Sequence, residues 1–139
     1  MARILVIEDD GTITHVLRLL MEIRGHEVLE ASDGSRGVAT AQRQSPDVIL
    51  LDLMMPTMDG FMALEALGKE ERTAHVPVLV LSTLDGQDVQ QRCYELGAKR
   101  YLRKPFDAEV LIGALEELSE GTQEERTGIP EDANRRRSN

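Results

Sequence analysis

The chain has 139 residues, enough for one domain with a buried core. It has no Trp, 3% aromatic residues and a net charge of −9, so its core must be aliphatic and it lacks the basic face that non-specific nucleic-acid binding needs. The single cysteine, Cys93, excludes an internal disulfide, no apolar run approaches membrane-spanning length, and residues 1–10 do not read as a signal peptide, so a cytoplasmic location is expected.

In chain order, Ile4-Leu5-Val6-Ile7 is an uninterrupted apolar run that ends in Glu8-Asp9-Asp10. Continuous rather than alternating apolar residues imply a strand covered on both faces. Ile13, Val16, Leu17 and Leu20 recur at helical spacing and predict a first helix, opened by Asp10 as its cap and stopped at Gly25. Glu27-Val28-Leu29-Glu30-Ala31 reads as a second strand, charged as sheet edges often are. A weaker helix covers roughly residues 34–44 and ends before Ser45-Pro46. Val48-Ile49-Leu50-Leu51 repeats the first pattern and ends in Asp52. Met54, Met55 and Met58 follow in one loop and read as gap-filling apolar contacts.

Phe61, Leu64 and Leu67 predict a helix after Gly60. Val78-Leu79-Val80-Leu81 runs into Ser82-Thr83. Val89, Cys93 and Leu96 form a thinner helical stripe, stopped at Gly97. Arg100-Tyr101-Leu102 reads as a fifth, charged strand just ahead of Lys104-Pro105. Val110, Leu111, Ala114, Leu115 and Leu118 predict the last helix. Beyond it the composition turns polar, with Ile129 the only large apolar residue. Residues 1–119 are therefore expected to form the domain and 120–139 a flexible polar tail or the start of a linker. Arg135-Arg136-Arg137 is too short a run to mark a nucleic-acid patch.

Strand–helix alternation of this kind implies an α/β fold: a doubly wound, five-stranded parallel sheet with five helices and right-handed crossovers. Placing the charged second and fifth strands at the edges sets the order 2-1-3-4-5, a flavodoxin-like arrangement. Its switch point lies between strands one and three, and ligands bind there, outside the carboxyl ends. Glu8, Asp9, Asp52, Ser82 and Lys104 all fall at that edge.

Each of these residues also has a plain structural reading. Asp10 suits a helix cap, and acids suit a helix N-terminus. Ser82 alone would be a turn residue and Lys104 alone a surface lysine. Two further acids beside Asp10 repel one another without a cation, however, and Asp52 opens no helix. Hard carboxylate oxygens suit Mg²⁺, with Mn²⁺ as a substitute. A carboxylate is a competent phosphoryl acceptor, while an ammonium and a hydroxyl can hold phosphoryl oxygens. Together they supply the parts for in-line transfer: a nucleophile, a metal site and two donors. His15, His26 and His75 are scattered and receive no role.

The segments Ile4-Leu5-Val6-Ile7-Glu8-Asp9-Asp10, Asp47-Val48-Ile49-Leu50-Leu51-Asp52, Met55-Pro56 with Asp59-Gly60, Leu81-Ser82, Gly97-Ala98 and Tyr101-Leu102-Arg103-Lys104-Pro105-Phe106 stand in a familiar order. From Arg3 to about Leu118 the chain resembles the receiver domain of two-component response regulators. The resemblance implies that Asp52 takes a phosphoryl group from a histidine kinase or a histidine phosphotransfer protein. It implies that Glu8, Asp9, Asp52 and the backbone carbonyl of Met54 hold the metal, and that Ser82 and Lys104 contact the phosphoryl group. Ser82 and Tyr101 would form the switch, and the Lys104–Pro105 peptide would be cis. Such a domain is no separate enzyme, although it can catalyse its own phosphorylation and dephosphorylation. It would act on a downstream protein or a fused effector domain, without itself touching nucleic acid or membrane. It would be a monomer or a phosphorylation-dependent dimer. Lys99-Arg100 stands where the family often has two acids used in dimer ion pairs, and Glu116 and Glu117 supply acids on the last helix instead. Thr83, beside the hydroxyl residue, replaces a commoner Ala or Gly.

Two alternatives remain at this point. Ile7-Glu8-Asp9-Asp10-Gly11-Thr12 resembles the first motif of haloacid-dehalogenase-type phosphatases. That motif needs Asp where this chain has Glu8, and it leaves Asp52 without a role. A phosphorylation-independent interaction domain would keep the fold and leave the polar constellation unused.

Overall fold

The computed structural model describes residues 1–54, 60–84 and 86–127, the side chains of 123–127 excepted. Ten elements alternate: β1 (Arg3–Ile7), α1 (Gly11–Ile23), β2 (Glu27–Ala31), α2 (Gly34–Gln44), β3 (Val48–Asp52), α3 (Gly60–Lys69), β4 (Val78–Ser82), α4 (Gln87–Glu95), β5 (Arg100–Arg103) and α5 (Ala108–Thr127). All strand pairs are parallel and the sheet order is β2-β1-β3-β4-β5.

The continuous apolar runs are explained by what covers them. Leu5, Ile7, Ile49, Leu51 and Val80 face one core with Ala41, Ala63, Leu64, Leu67 and Cys93, which come from α2, α3 and α4. Ile4, Val6, Val48, Leu50, Leu79 and Leu81 face the other with Leu17, Met21, Leu111, Ile112 and Leu115, from α1 and α5. Successive strand residues point to opposite faces, so a strand buried on both sides cannot afford a polar residue until it ends. It is there that Glu8, Asp52 and Ser82 stand.

Local chemistry sets where helices begin and end. Asp10 caps α1, its Oδ1 accepting from the amides of Thr12 (2.9 Å) and Ile13 (3.3 Å). Asp33 caps α2 through the Arg36 amide at 2.8 Å, and Asp107 caps α5 through the Glu109 amide at 2.8 Å. Gly97 closes α4 at φ +112°, a conformation that side-chain-bearing residues avoid. Gly60 opens α3 for a different reason: a Cβ there would lie 2.3 Å from Leu53 Cα. That close approach lets the Gly60 amide donate to the Leu53 carbonyl at 2.7 Å and fixes the chain leaving β3.

Helix α5 departs from expectation. It continues to Thr127, with Ser119 and Thr122 buried, so a boundary at 119 would fall inside a helix. Residues 128–139, with Ile129 and the arginine triplet, lie outside the described residues, as do Met55, Pro56, Met58 and Asp59. Met54 is 53% exposed and fills no gap.

At the amino ends of the strands a charged network ties α1, β2 and α5 together. The Ala2 amide donates to His26 Nδ1 (3.0 Å), which leaves His26 Nε2 to donate to Glu116 Oε2 (2.7 Å). Arg24 grips both oxygens of Glu116, at 3.1 and 2.7 Å, and reaches Glu109 at 3.2 Å. The Arg24 and His26 hydrogen bonds hold the Glu116 carboxyl down at about 2.

Candidate functional site

The carboxyl ends of β1, β3, β4 and β5 bring five side chains of the sequence analysis to one rim. Glu8 follows β1, Asp52 ends β3, Ser82 ends β4 and Lys104 follows β5. Register places Asp52 opposite Leu81 and Ser82 opposite Arg103, so the three strand ends stand side by side. Glu8, Asp52 and Ser82 are buried, while Asp9 is exposed beside them. Ligand atoms of Glu8, Asp9 and Asp52 lie within 4.8 Å of one another. Lys104 Nζ sits 3.1 Å from Glu8 Oε1 and 3.4 Å from Asp52 Oδ2. The Lys104–Pro105 peptide is cis.

The electrostatics of the rim are strained in one direction. Burial, reinforced by the hydrogen bond and charge of Asp52, raises the Glu8 carboxyl to about 7. The Asp10 amide, at 3.2 Å from Glu8 Oε2, and the Lys104 ammonium offset only part of this. Lys104 is affected the other way. Burial pulls its ammonium down, but the Glu8 hydrogen bond and the charges of Asp52 and Glu8 outweigh it and raise it overall. One ammonium thus serves two buried acids, and a third acid stands beside them. Three hard oxygen donors with an excess of negative charge fit a divalent cation of the magnesium type.

Ser82 and Tyr101 are joined through the main chain of Leu84. Ser82 Oγ accepts from the Leu84 amide at 2.9 Å, and the Tyr101 hydroxyl donates to the Leu84 carbonyl at 2.8 Å. The Tyr101 ring packs against the core on the α2–α3–α4 side. The Met54 amide donates to Asp52 Oδ1 at 3.1 Å, orienting the acid from below. Thr83 is exposed. Arg100 pairs with Glu117 within the chain at 2.7 Å, so charges that differ from the usual dimer pattern find each other internally.

Sequence reasoning gave the main chain of Leu84 no part in joining Ser82 to Tyr101, because that part is carried by backbone groups that any residue supplies. It also missed His26. Its partners are Ala2 and Glu116, and no local pattern announces a contact 90 residues away.

An open α/β sheet with three acids, a hydroxyl and a lysine at its switch point defines a class of phosphoryl-accepting signalling domains. The chain matches the response regulator receiver domain family over residues 4–116, and it belongs to that family. It is 38% identical over 121 residues to Protein PilH of Pseudomonas aeruginosa, covering 87% of this chain and 100% of that protein. It is 41% identical over 118 residues to the DNA-binding dual master transcriptional regulator RpaA of Synechocystis, covering 85% of this chain but only 49% of that one. The chain therefore spans one relative entirely and about half of the other. Among solved structures it resembles the receiver domain of the Francisella response regulator 1452, with TM-score 0.81 and 31% identity over 88% of this chain and 99% of that one. It also resembles the receiver domain of a Pseudomonas aeruginosa sensor histidine kinase with a magnesium ion coordinated in its active-site cleft, with TM-score 0.77, 30% identity, 85% of this chain and 97% of that one. The chain is thus a receiver domain of two-component signalling, a family whose general function is phosphorylation on aspartate. The haloacid-dehalogenase reading falls with this family match.

Proposed function

We propose that Asp52 is the phosphoryl acceptor, loaded by a histidine kinase or histidine phosphotransfer protein. The observation that carries this reading is the convergence of the three acids within 4.8 Å, with Lys104 Nζ 3.4 Å from Asp52. A carboxylate oxygen of Asp52 attacks phosphorus, the P–N bond to the donor histidine breaks, and its electron pair stays on the departing nitrogen. Lys104 and Ser82 each meet a phosphoryl oxygen as charge builds on it. Magnesium held by Glu8, Asp9, Asp52 and the Met54 carbonyl would neutralise the acids and polarise the phosphoryl oxygens. The same groups would serve acyl-phosphate hydrolysis, so the chain catalyses its own loading and unloading without turning over a separate substrate.

The readout follows from the Leu84 links. A Ser82 hydroxyl drawn to the phosphoryl group releases the Leu84 amide, and Leu84 carries the Tyr101 hydroxyl with it. Docking of the phosphodonor is supported by an apolar stripe on α1, where Val16, Leu19 and Ile23 are 48%, 48% and 82% exposed at one-turn spacing. The response passes to a downstream protein or a fused effector. The chain is a monomer or a phosphorylation-dependent dimer in this reading, with Arg100 and Glu117 paired within one chain. A net charge of −9 supports no direct nucleic-acid contact by this domain. No helix among the described residues is long and apolar enough to cross a membrane, and we place the chain in the cytoplasm with its kinase partner. The folded unit runs through α5 to Thr127 in this reading.

The test is intact mass after incubation with a small phosphodonor and Mg²⁺. The parent gains one phosphoryl group and Asp52→Asn gains none. A full-level phosphate on the folded variant would move the acceptor elsewhere. A parent that takes none, from donor or kinase, would leave a phosphorylation-independent interaction domain.

A further inference from the structure

The helices are not held equally. Asp10, Asp33 and Asp107 cap α1, α2 and α5 through their side chains. The N-cap of α4 is Gly86, which has no side chain to accept from the first-turn amides. Helix α1 buries Thr14, Leu17 and Met21, and α3 buries Gly60, Ala63, Leu64 and Leu67. Among the described residues of α4, Cys93 alone is buried, with Val89 packed partly against the same core. The outer face of α4 carries Gln87, Gln90, Gln91 and Tyr94, whose polar groups water serves as well as protein does.

The two ends of α4 also differ. Its carboxyl end is tied down: the Gly97 amide donates to the Tyr94 carbonyl at 3.0 Å, and the Ala98 amide to the Cys93 carbonyl at 2.9 Å. Arg92, 3.9 Å over the Phe61 ring, tethers the same end to α3. The amino end is approached through Leu84, whose amide is held by Ser82 Oγ and whose carbonyl is held by the Tyr101 hydroxyl. A helix short of buried area, tied at one end and latched at the other, opens locally more often than the whole chain unfolds.

We propose that α4 is a latch that opens from its amino end and uncovers Cys93, and that the Ser82–Leu84 bond keeps it shut until Asp52 is phosphorylated. The opening stands on the helix alone, whereas its control rests on Asp52 being the acceptor. The phosphoryl group thereby sets how often the inner face of α4 meets solvent.

The test is the rate at which Cys93, the single cysteine, cleaves the aromatic disulfide dithionitrobenzoate. Burial pushes the Cys93 thiol up, so the closed chain is unreactive and the rate counts openings. The parent labels at least about tenfold faster than global unfolding allows. Glu116→Gln, which weakens the fold from the opposite end, leaves the rate unchanged. Gln90→Ala with Gln91→Ala slows it about threefold by raising helix propensity. Ser82→Ala removes the acceptor of the Leu84 amide and quickens labelling about fivefold, and beryllofluoride with Mg²⁺, a phosphoryl mimic, does the same to the parent. Labelling that follows global unfolding across these variants overturns the opening. A rate unmoved by beryllofluoride while the melting temperature rises overturns its control by phosphorylation. No rise in melting temperature overturns the acceptor reading, and the control with it.

Discussion

The two ends of the sheet both collect charge, and they handle it in opposite ways. At the amino ends Glu116 receives donors from Arg24 and His26, and its carboxyl is held at about 2. At the carboxyl ends Glu8 is buried against Asp52, and its carboxyl is pushed to about 7. Both are glutamates with the same ordinary value of 4.5; only their surroundings differ. One end has enough cations for its acids and contributes stability. The other has more acids than its single lysine serves, a shortfall that a divalent cation would fill in the proposed reading.

The sharpest break between the ends is chemical. Asp52→Asn should abolish phosphoryl acceptance, whereas Glu116→Gln should leave it at the parent's level, both read by intact mass. A large loss in Glu116→Gln would mean that the lower network does more than hold the fold.

The next contrast is in pH dependence. In metal-free protein the folded state keeps the Glu8 proton between pH 4.5 and 7 while the unfolded chain has released it. Folding then takes up a proton, so stability is fully present below pH 4.5 and declines as pH rises through 7. The span of this effect is about 3 kcal/mol, seen by urea denaturation in chelator. Glu8→Gln should flatten it. Glu116 works with the opposite sign. Its stabilisation is present above pH 4.5 and is lost as pH falls toward 2. Glu116→Gln should cost about 1 kcal/mol at neutral pH, an estimate reduced for the partial exposure of the pair, and should remove that acid-side loss.

The smallest expected effect separates the proposed switch from the site. Tyr101→Phe removes the donor to the Leu84 carbonyl and should cost about 0.5–1.5 kcal/mol by denaturation. Phosphoryl acceptance should stay unchanged, because the tyrosine hydroxyl bonds Leu84 and neither acid. A variant that loses acceptance would place Tyr101 in the chemistry.

Much of the rim was legible in the sequence, because a strand buried on both faces stays apolar until it ends. Glu8, Asp52 and Ser82 each follow such a run, and the strand order then brings them together. The lower network was not legible. Its members are ordinary charged residues on helices and a lone histidine, and only the folded chain puts Glu116 against Arg24 and His26. The end of α5 was misread because polarity was taken as disorder. Gln123, Glu124, Glu125 and Arg126 are good helix formers, and Thr122 is buried, so propensity and packing extend the helix where hydrophobic patterning stops. The methionine loop was misread at Met54 because an apolar side chain there is turned outward beside the site rather than into the core.

The central claim is that the upper rim is short of one divalent cation and the lower network is not. It is tested most directly by the magnesium-induced rise in melting temperature at pH 7. Parent and Glu116→Gln should show the same rise, by mass action on the folded state, and Asp9→Asn should show little or none. An undiminished rise in Asp9→Asn would contradict the account, because the metal would then lie away from the acids that define the site.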